Sequence, residues 1–336
     1  MVPRHAIQNR FQVLKQVVAN PNWLLLGYTR AVGDPKSNLK SEPRIYLGTS
    51  AFTAAGWPGT FYPSGLKSQD YLSFYAQKFD SVEVNSTLYG CPSARTVANW
   101  AAKTPDNFIF AIKTPRSITH DKILVDCDDE LDEFLGTMEI LGPKLGPILF
   151  QFPQFNPGVF ADRHAFTDRL VPFLKKLPRA HKYAVEIRNP EWLDAEFADL
   201  LRQHGIALVL LDLPYMPRPE ELAQKFDPIT TNWTYIRWLG DRKGIELQTT
   251  KWDKTIVDRT TDLRSWVDFC YQIKKRGILI YGYANNHYAG NGPATIRHFR
   301  DLWCQKGLPP LREPAPSLPP STPEPPPQKK QPSLFD

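Results

Sequence analysis

The chain has 336 residues, 42% of them hydrophobic, 12% aromatic and 23% charged, which is enough apolar material for a sizeable core. Thirty-two prolines and a formal charge of +6 stand out; the charge sits mostly in the N-terminal segment and the proline excess in the C-terminal one. Residues 1–43 carry six basic and two acidic residues, residues 308–336 hold 11 of the prolines, and residues 44–307 balance 32 basic against 30 acidic residues, so the central part lacks the broad basic face of a duplex-DNA binder.

Residues 1–43 read as an N-terminal extension, with a helix around Ile7–Val18 (IQNRFQVLKQVV) or a loose leader. Its basic, acid-poor character fits an organelle transit segment, but its few serines do not. Trp23–Leu26 is too short an apolar cluster for a secretory h-region, and no run approaches the ~20 apolar residues of a membrane span. Cys91, Cys127, Cys270 and Cys304 are far apart with no CxxC pair, so free thiols in a reducing compartment are expected. These features predict a cytoplasmic protein without membrane partners.

From residue 44 to 307 short apolar runs alternate with amphipathic stretches. The predicted strands are Ile45–Ser50, Ser81–Ser86, Phe108–Lys113, Pro147–Phe152, Lys182–Arg188, Ala207–Asp212, Trp233–Trp238 and Ile278–Asn285. Clear examples of the predicted helices between them are Ser68–Phe79, Ser93–Lys103, Asp162–Leu177, Glu191–His204, Asp262–Arg276 and Gly292–Gln305. Ser68, Ser93 and Asp262 suit N-caps, and Gly205 and Gly277 suit helix C-termini. Eight strand–helix units in this length predict an α/β fold, a (β/α)8 TIM barrel, over a doubly wound sheet, since no GxGxxG or GxxxxGK[ST] occurs. Residues 308–336 read as an extended, disordered proline-rich tail.

Active sites of such barrels lie at the C-terminal ends of the strands, and interior positions alternate with helix-facing ones. In SVEVN, helix-facing Val82 and Val84 leave Glu83 and Asn85 inward. In KYAVEIR, helix-facing Val185 and Ile187 leave Glu186 and Arg188 inward, and Lys113 closes the third strand. Gln151 is expected at the mouth from the fourth strand, Asp212 from the sixth, Arg237 from the seventh, and Tyr281, Tyr283 and Asn285 from the eighth. Single pairs such as Glu186–Arg188 also suit structural ion pairs capping the barrel.

The stretches IYLGTSAFTAAGWPGTFYPSGL, FDSVEVNSTLYGCPS, WAAKTPDNFIFAIKTPRSITH, LGPKLGPILFQFP, AVEIRNPEW and YGYANNHYAGNGPATIRHF follow one another in this order. Through them the chain resembles the domain-of-unknown-function 72 family (YecE-like TIM-barrel proteins) over residues 45–300 or so. The resemblance implies the barrel and a pocket around Glu83, Asn85, Lys113, His120, Gln151, Glu186, Arg188, Asp212, Arg237, Asn285 and Asn286, and it supplies no reaction. Two departures are TSAFTAAGW, where a GWSY-like stretch is usual, and Asn189, where His is common and would offer a proton shuttle.

Three carboxylates (Glu83, Glu186, Asp212) facing three cations (Lys113, Arg188, Arg237) suit an anionic substrate held by the cations while a carboxylate, Glu186 or Glu83, moves a proton. We therefore expect an enzyme of hydrolase or isomerase type acting on a phosphate-bearing or sugar-like substrate. Glu83, Glu186, Lys113 and Asp212 are its catalytic candidates. Asn85, His120, Gln151, Arg188, Arg237, Tyr283, Asn285 and Asn286 are its substrate-binding ones. The alternative is a non-catalytic ligand- or nucleic-acid-binding module using the same pocket. No cofactor is expected, since only His120 and His287 fall near strand tops; a single Mg²⁺ or Mn²⁺ would have to sit on Glu83, Glu186 and Asp212. Trp57, Phe61 and Tyr62 after the first strand form either a wall for a sugar or base, or a packed loop.

The chain ends Gln331-Pro332-Ser333-Leu334-Phe335-Asp336, similar to the QLSLF or QLDLF peptides that bind the bacterial DNA polymerase sliding clamp. Leu334 and Phe335 would enter an apolar pocket and Gln331 would set the register, with Pro332 standing where Leu is preferred. In polyproline geometry the tail would reach roughly 80–90 Å.

Overall fold

The computed structural model describes residues 44–311. The extension, its helix around Ile7–Val18, most of the proline-rich tail and the clamp-like peptide all lie outside the described residues. Eight parallel strands form a (β/α)8 barrel: β1 (Ile45–Thr49), β2 (Ser81–Val84), β3 (Ile109–Lys113), β4 (Leu145–Gln151), β5 (Tyr183–Glu186), β6 (Ala207–Asp212), β7 (Trp233–Trp238) and β8 (Leu279–Ala284). Between them run α1 (Tyr71–Tyr75), α2 (Ala94–Ala102), α3 (Asp128–Met138), α4 (Arg163–Lys176), α5 (Ala195–Gln203), α6 (Pro219–Ala223), α7 (Thr260–Lys275) and, after β8, α8 (Gly292–Gln305).

The strands emerge where the Val/Ile/aromatic runs predict them, usually a residue or two shorter at the ends. The helices depart further. Ser93 caps α2, accepting from the Thr96 amide at 3.2 Å. Ser68 instead lies within a 3₁₀ turn ahead of α1, and Asp262 lies inside the first turn of α7, its carboxylate taken by Arg218 and Arg259. Gly205 (φ 69°) and Gly277 (φ 81°) end α5 and α7 in the left-handed conformation expected after a helix. Helix α3 is not among the predicted helices; its opening acidic run, Asp128–Glu130, suits the positive end of the helix dipole. The four cysteines are unpaired thiols.

Two apolar layers follow from the alternation. Helix-facing residues such as Val82, Ile112, Phe150, Val185 and Ile236 pack against the helices, while Ala111, Leu149, Ala184, Val209, Tyr235, Tyr281 and Tyr283 fill the barrel. Seven strand pairs are joined by backbone ladders, and the eighth contact, β1 against β2, is closed by side chains. The Tyr75 hydroxyl accepts from the Thr49 amide at 2.7 Å and meets the Ser81 carbonyl at 3.3 Å. Asp80 accepts from the Leu47 amide at 3.0 Å. Gly48 lets the strands approach: a Cβ there would lie 1.9 Å from the Ser81 carbonyl oxygen.

Among the described residues, no helix is long and apolar enough to cross a membrane.

Candidate functional site

Alternation on β2, β5 and β7 brings Glu83, Glu186 and Arg237 to one level inside the barrel. All three are buried; both glutamates are 0% exposed. Arg237 bridges them, Nη2 donating to Glu83 Oε1 at 2.8 Å and Nη1 to Glu186 Oε2 at 2.6 Å. The Tyr235 hydroxyl donates to Glu83 Oε2 at 2.6 Å, Asn85 Nδ2 to Glu83 Oε1 at 3.1 Å, and Arg188 Nε to Glu186 Oε1 at 2.9 Å. Every carboxylate oxygen of the pair is thus engaged. Burial works to raise the Glu186 carboxyl, but Arg237, Arg188 and Lys113 prevail and hold it below the ordinary value. Both carboxylates in turn raise the Arg237 guanidinium against its burial.

Lys113, at the end of β3, differs. It is 6% exposed, and among the described residues its amine has no hydrogen bond and no ion pair. Burial, with Arg237 and Arg188 pushing the same way, lowers it to about 8 against the opposing pull of Glu186 and Glu83. The same field reaches His120, whose imidazole is pushed down to about 4 by burial, then by Lys113, Arg116 and Arg188. His120 Nδ1 lies 2.8 Å from the Thr119 hydroxyl, and Nε2 has no partner among the described residues. The loop that carries it is conformationally costly. It makes one π-helical turn, Ser117–Asp121, then places Ile123, Leu124 and Asp126 at positive φ. β-branched residues rarely adopt such angles, and both features recur where a side chain must be held for function.

Glu83, Asn85, Lys113, His120, Glu186, Arg188 and Arg237 therefore come together at the mouth. Gln151 is buried beside Glu186 in register, its amide spent on the Phe152 carbonyl. Asn285 stands at the rim, but its Oδ1 accepts from the His287 amide at 3.0 Å and lies 2.6 Å from His287 Nδ1.

Three expected site residues lie elsewhere. Asp212 is a correction: β6 buries Val209 and Leu211 in the barrel and turns Asp212 to the helices, paired in register with helix-facing Trp238. There its Oδ2 accepts from Arg218 Nη1 at 2.6 Å, Trp266 Nε1 at 2.7 Å and the Tyr288 hydroxyl at 2.9 Å. Tyr283 is sealed in the barrel interior, its hydroxyl 2.6 Å from Ser81 Oγ. Asn286 accepts from the Gly292 amide at 2.9 Å, bracing the start of α8. The metal triad Glu83–Glu186–Asp212 does not converge, and among the described residues no group of three or more His, Cys, Asp or Glu is arranged to hold a metal.

Two other expectations resolve into packing. Tyr62 stacks on Tyr71 of α1 at 4.0 Å and Phe61 packs on Phe74, Tyr75 and Phe79, so the aromatics after β1 brace that helix and do not wall the mouth. Asn189 ties two loops, accepting from the Phe155 amide at 2.8 Å and donating to its carbonyl at 2.9 Å. Tyr235 is a functional neighbour that sequence reasoning misses; its sharing the parity of Arg237 on β7 is the signal that points to it.

A family model described as "Protein of unknown function DUF72" matches residues 46–320. Among curated proteins the chain is similar to UPF0759 protein YecE of Escherichia coli (strain K12), 34% identical over 173 residues, or 50% of this chain and 59% of that protein. It is similar also to UPF0759 protein YunF of Bacillus subtilis (strain 168), 31% identical over 117 residues, 33% of this chain and 40% of that protein. The chain thus spans under two thirds of these relatives. Among solved structures, a DUF72 family protein from Thermotoga maritima MSB8 superimposes with a TM-score of 0.61 at 27% identity, covering 78% of this chain and 98% of that one. Another from Enterococcus faecalis V583, TM-score 0.58 at 19% identity over 77% of this chain and 95% of that one, shares the fold.

Proposed function

The chain belongs to the DUF72 family, and from the geometry of its barrel mouth we propose that it is an enzyme that seats a small anionic, phosphate-bearing or sugar-like substrate and moves a proton on it in hydrolase- or isomerase-type chemistry. One observation carries this reading: a buried lysine, without a partner among the described residues, stands beside carboxylates that are already satisfied. With Lys113 protonated, three cations (Lys113, Arg188, Arg237) face two carboxylates (Glu83, Glu186). An uncompensated buried charge is expensive, and a bound anion relieves it. Arg188 commits only Nε to Glu186, which leaves its Nη groups for two-point recognition of phosphate or carboxylate.

In this reading Glu83 and Glu186 position Arg237 and Arg188, since hydrogen bonds already occupy their oxygens. Proton transfer falls to Lys113 and His120, with a lysine near 8 well matched to neutral pH. Calorimetric titration with inorganic phosphate and glucose 6-phosphate tests it. Binding weakened at least tenfold in both Lys113→Met and Arg188→Met is expected; equal binding by both variants and the parent overturns it. The non-catalytic alternative is separated by turnover of a phosphorylated-substrate library.

The Gln331–Phe335 segment carries a further part of the proposal: Leu334 and Phe335 dock on a bacterial sliding clamp and bring the barrel to DNA, with direct DNA contact secondary. Fluorescence titration of a peptide of residues 325–336 against the clamp tests this, and no binding at about 100 μM overturns it.

A further inference from the structure

We infer that Lys113 is a covalent amine, condensing with the carbonyl carbon of a small aldehyde or ketone whose anionic group is held by Arg188. This rests on the anion-seating reading and adds the second functional group of the substrate. A lysine that serves only as a positive charge is normally exposed or paired, whereas Lys113 is 6% exposed and its amine has no hydrogen bond or ion pair among the described residues. The carboxylates that could pair with it already accept from Arg237, Arg188, Tyr235 and Asn85, and none lies within 4.0 Å of its amine. Burial first, and then the Arg237 and Arg188 guanidiniums, favour the neutral amine, the nucleophilic form, against the pull of Glu186 and Glu83. Leu149, in register with Lys113, and the buried Ala111 and Ala184 line that side of the barrel with apolar surface, which favours an imine over its hydrolysis.

The step balances without oxidant or reductant. The Nζ lone pair forms a bond to the carbonyl carbon, and the carbonyl oxygen takes up a proton to become a hydroxyl. That hydroxyl leaves as water after a second protonation, while nitrogen gives up one proton and becomes a protonated imine. His120 is the group placed to carry these protons. Burial and neighbouring cations keep it neutral, one nitrogen is tied to Thr119, and the other has no partner among the described residues.

The test uses the full-length protein incubated with glyoxylate, pyruvate, dihydroxyacetone phosphate or glyceraldehyde 3-phosphate in the presence of cyanoborohydride, followed by peptide mass spectrometry. We expect a reduced adduct on Lys113 from at least one of the four. It should form at least tenfold faster than on any other lysine and be suppressed by inorganic phosphate. Lys113→Arg, which keeps the charge but has no nucleophilic amine, should lose the adduct; thermal melting checks its fold. His120→Gln should slow adduct formation on Lys113. Phosphate binding with no Lys113 adduct from any of the four overturns the covalent role and leaves the anion site standing. Adducts spread over surface lysines, unprotected by phosphate, overturn it as well. Failure of phosphate to bind the parent protein overturns the reading beneath it.

Discussion

Replacing Arg237 with Met tests the electrostatic centre of the barrel. The substitution removes the ion pairs to Glu186 Oε2 at 2.6 Å and Glu83 Oε1 at 2.8 Å, and leaves two fully buried carboxylates without their shared counterion. Glu186 keeps Arg188 Nε, and Glu83 keeps Tyr235 and Asn85. Deleting one partner of a buried pair costs about 3–5 kcal/mol, and uptake of a proton by one carboxylate keeps the total in that range although both ion pairs are broken. For a domain of this size the melting temperature should fall by roughly 10 °C. The pH dependence gives the sharper signature. In the parent, the Glu186 carboxyl is held low, so its contribution is present above the unfolded value of about 4.3 and is lost as pH falls through the folded value. In Arg237→Met that carboxyl is expected to rise above the unfolded value, so the deficit is full at high pH and shrinks as pH falls toward about 4.3. Urea unfolding followed by tryptophan fluorescence from pH 5 to 8 measures both effects. Adding Glu186→Gln should recover about 1 kcal/mol or more at neutral pH, because it removes a stranded charge. A single variant within about 1 kcal/mol of the parent and flat with pH would mean that the two buried glutamates do not depend on Arg237.

Lys113→Met should stabilise the fold at pH 7 by about 3 kcal/mol while weakening anion binding at least tenfold, since burying the charged amine is costly. The folded amine titrates below the unfolded one, so the parent's stability should rise with pH from about 8 to about 10.5 and the variant's should lack that rise. His120, seen by imidazole NMR, should titrate with a midpoint near about 4; protonation near its ordinary value would place it outside the field of Lys113 and Arg188. Tyr75→Phe should cost about 1–3 kcal/mol by leaving the Thr49 amide unsatisfied at the β1–β2 seam, read by chemical denaturation. Gly48→Ala should be worse than Tyr75→Phe in the same assay, because its Cβ meets backbone that cannot move aside.

Much of the site is legible in the chain because its strands alternate cleanly. In SVEVN and KYAVEIR the branched residues mark the helix-facing side, so the pattern alone places Glu83 and Glu186 inward, where both are buried. β6 offers no such contrast: ALVLLD is apolar on both faces, and nothing local says which way its terminal charge turns. The groups that satisfy Asp212 come from positions 218, 266 and 288, which no local pattern connects. The aromatics after β1 are likewise ambiguous as a string of residues, and it is the packing of α1 against them that removes them from the mouth.

The eight strands are written into the chain directly, because hydrophobic period is a local property, whereas α3 and α6 are not among the predicted helices. The set of residue types able to reach the mouth is written there too. Which of those residues are spent and which remain available depends on the folded barrel. Hydrogen-bond saturation is a matter of three-dimensional neighbours, and it commits Glu83 and Glu186 to Arg237 and turns Asp212 to the helical layer. The same saturation leaves Lys113 buried beside the two glutamates, with no partner among the described residues.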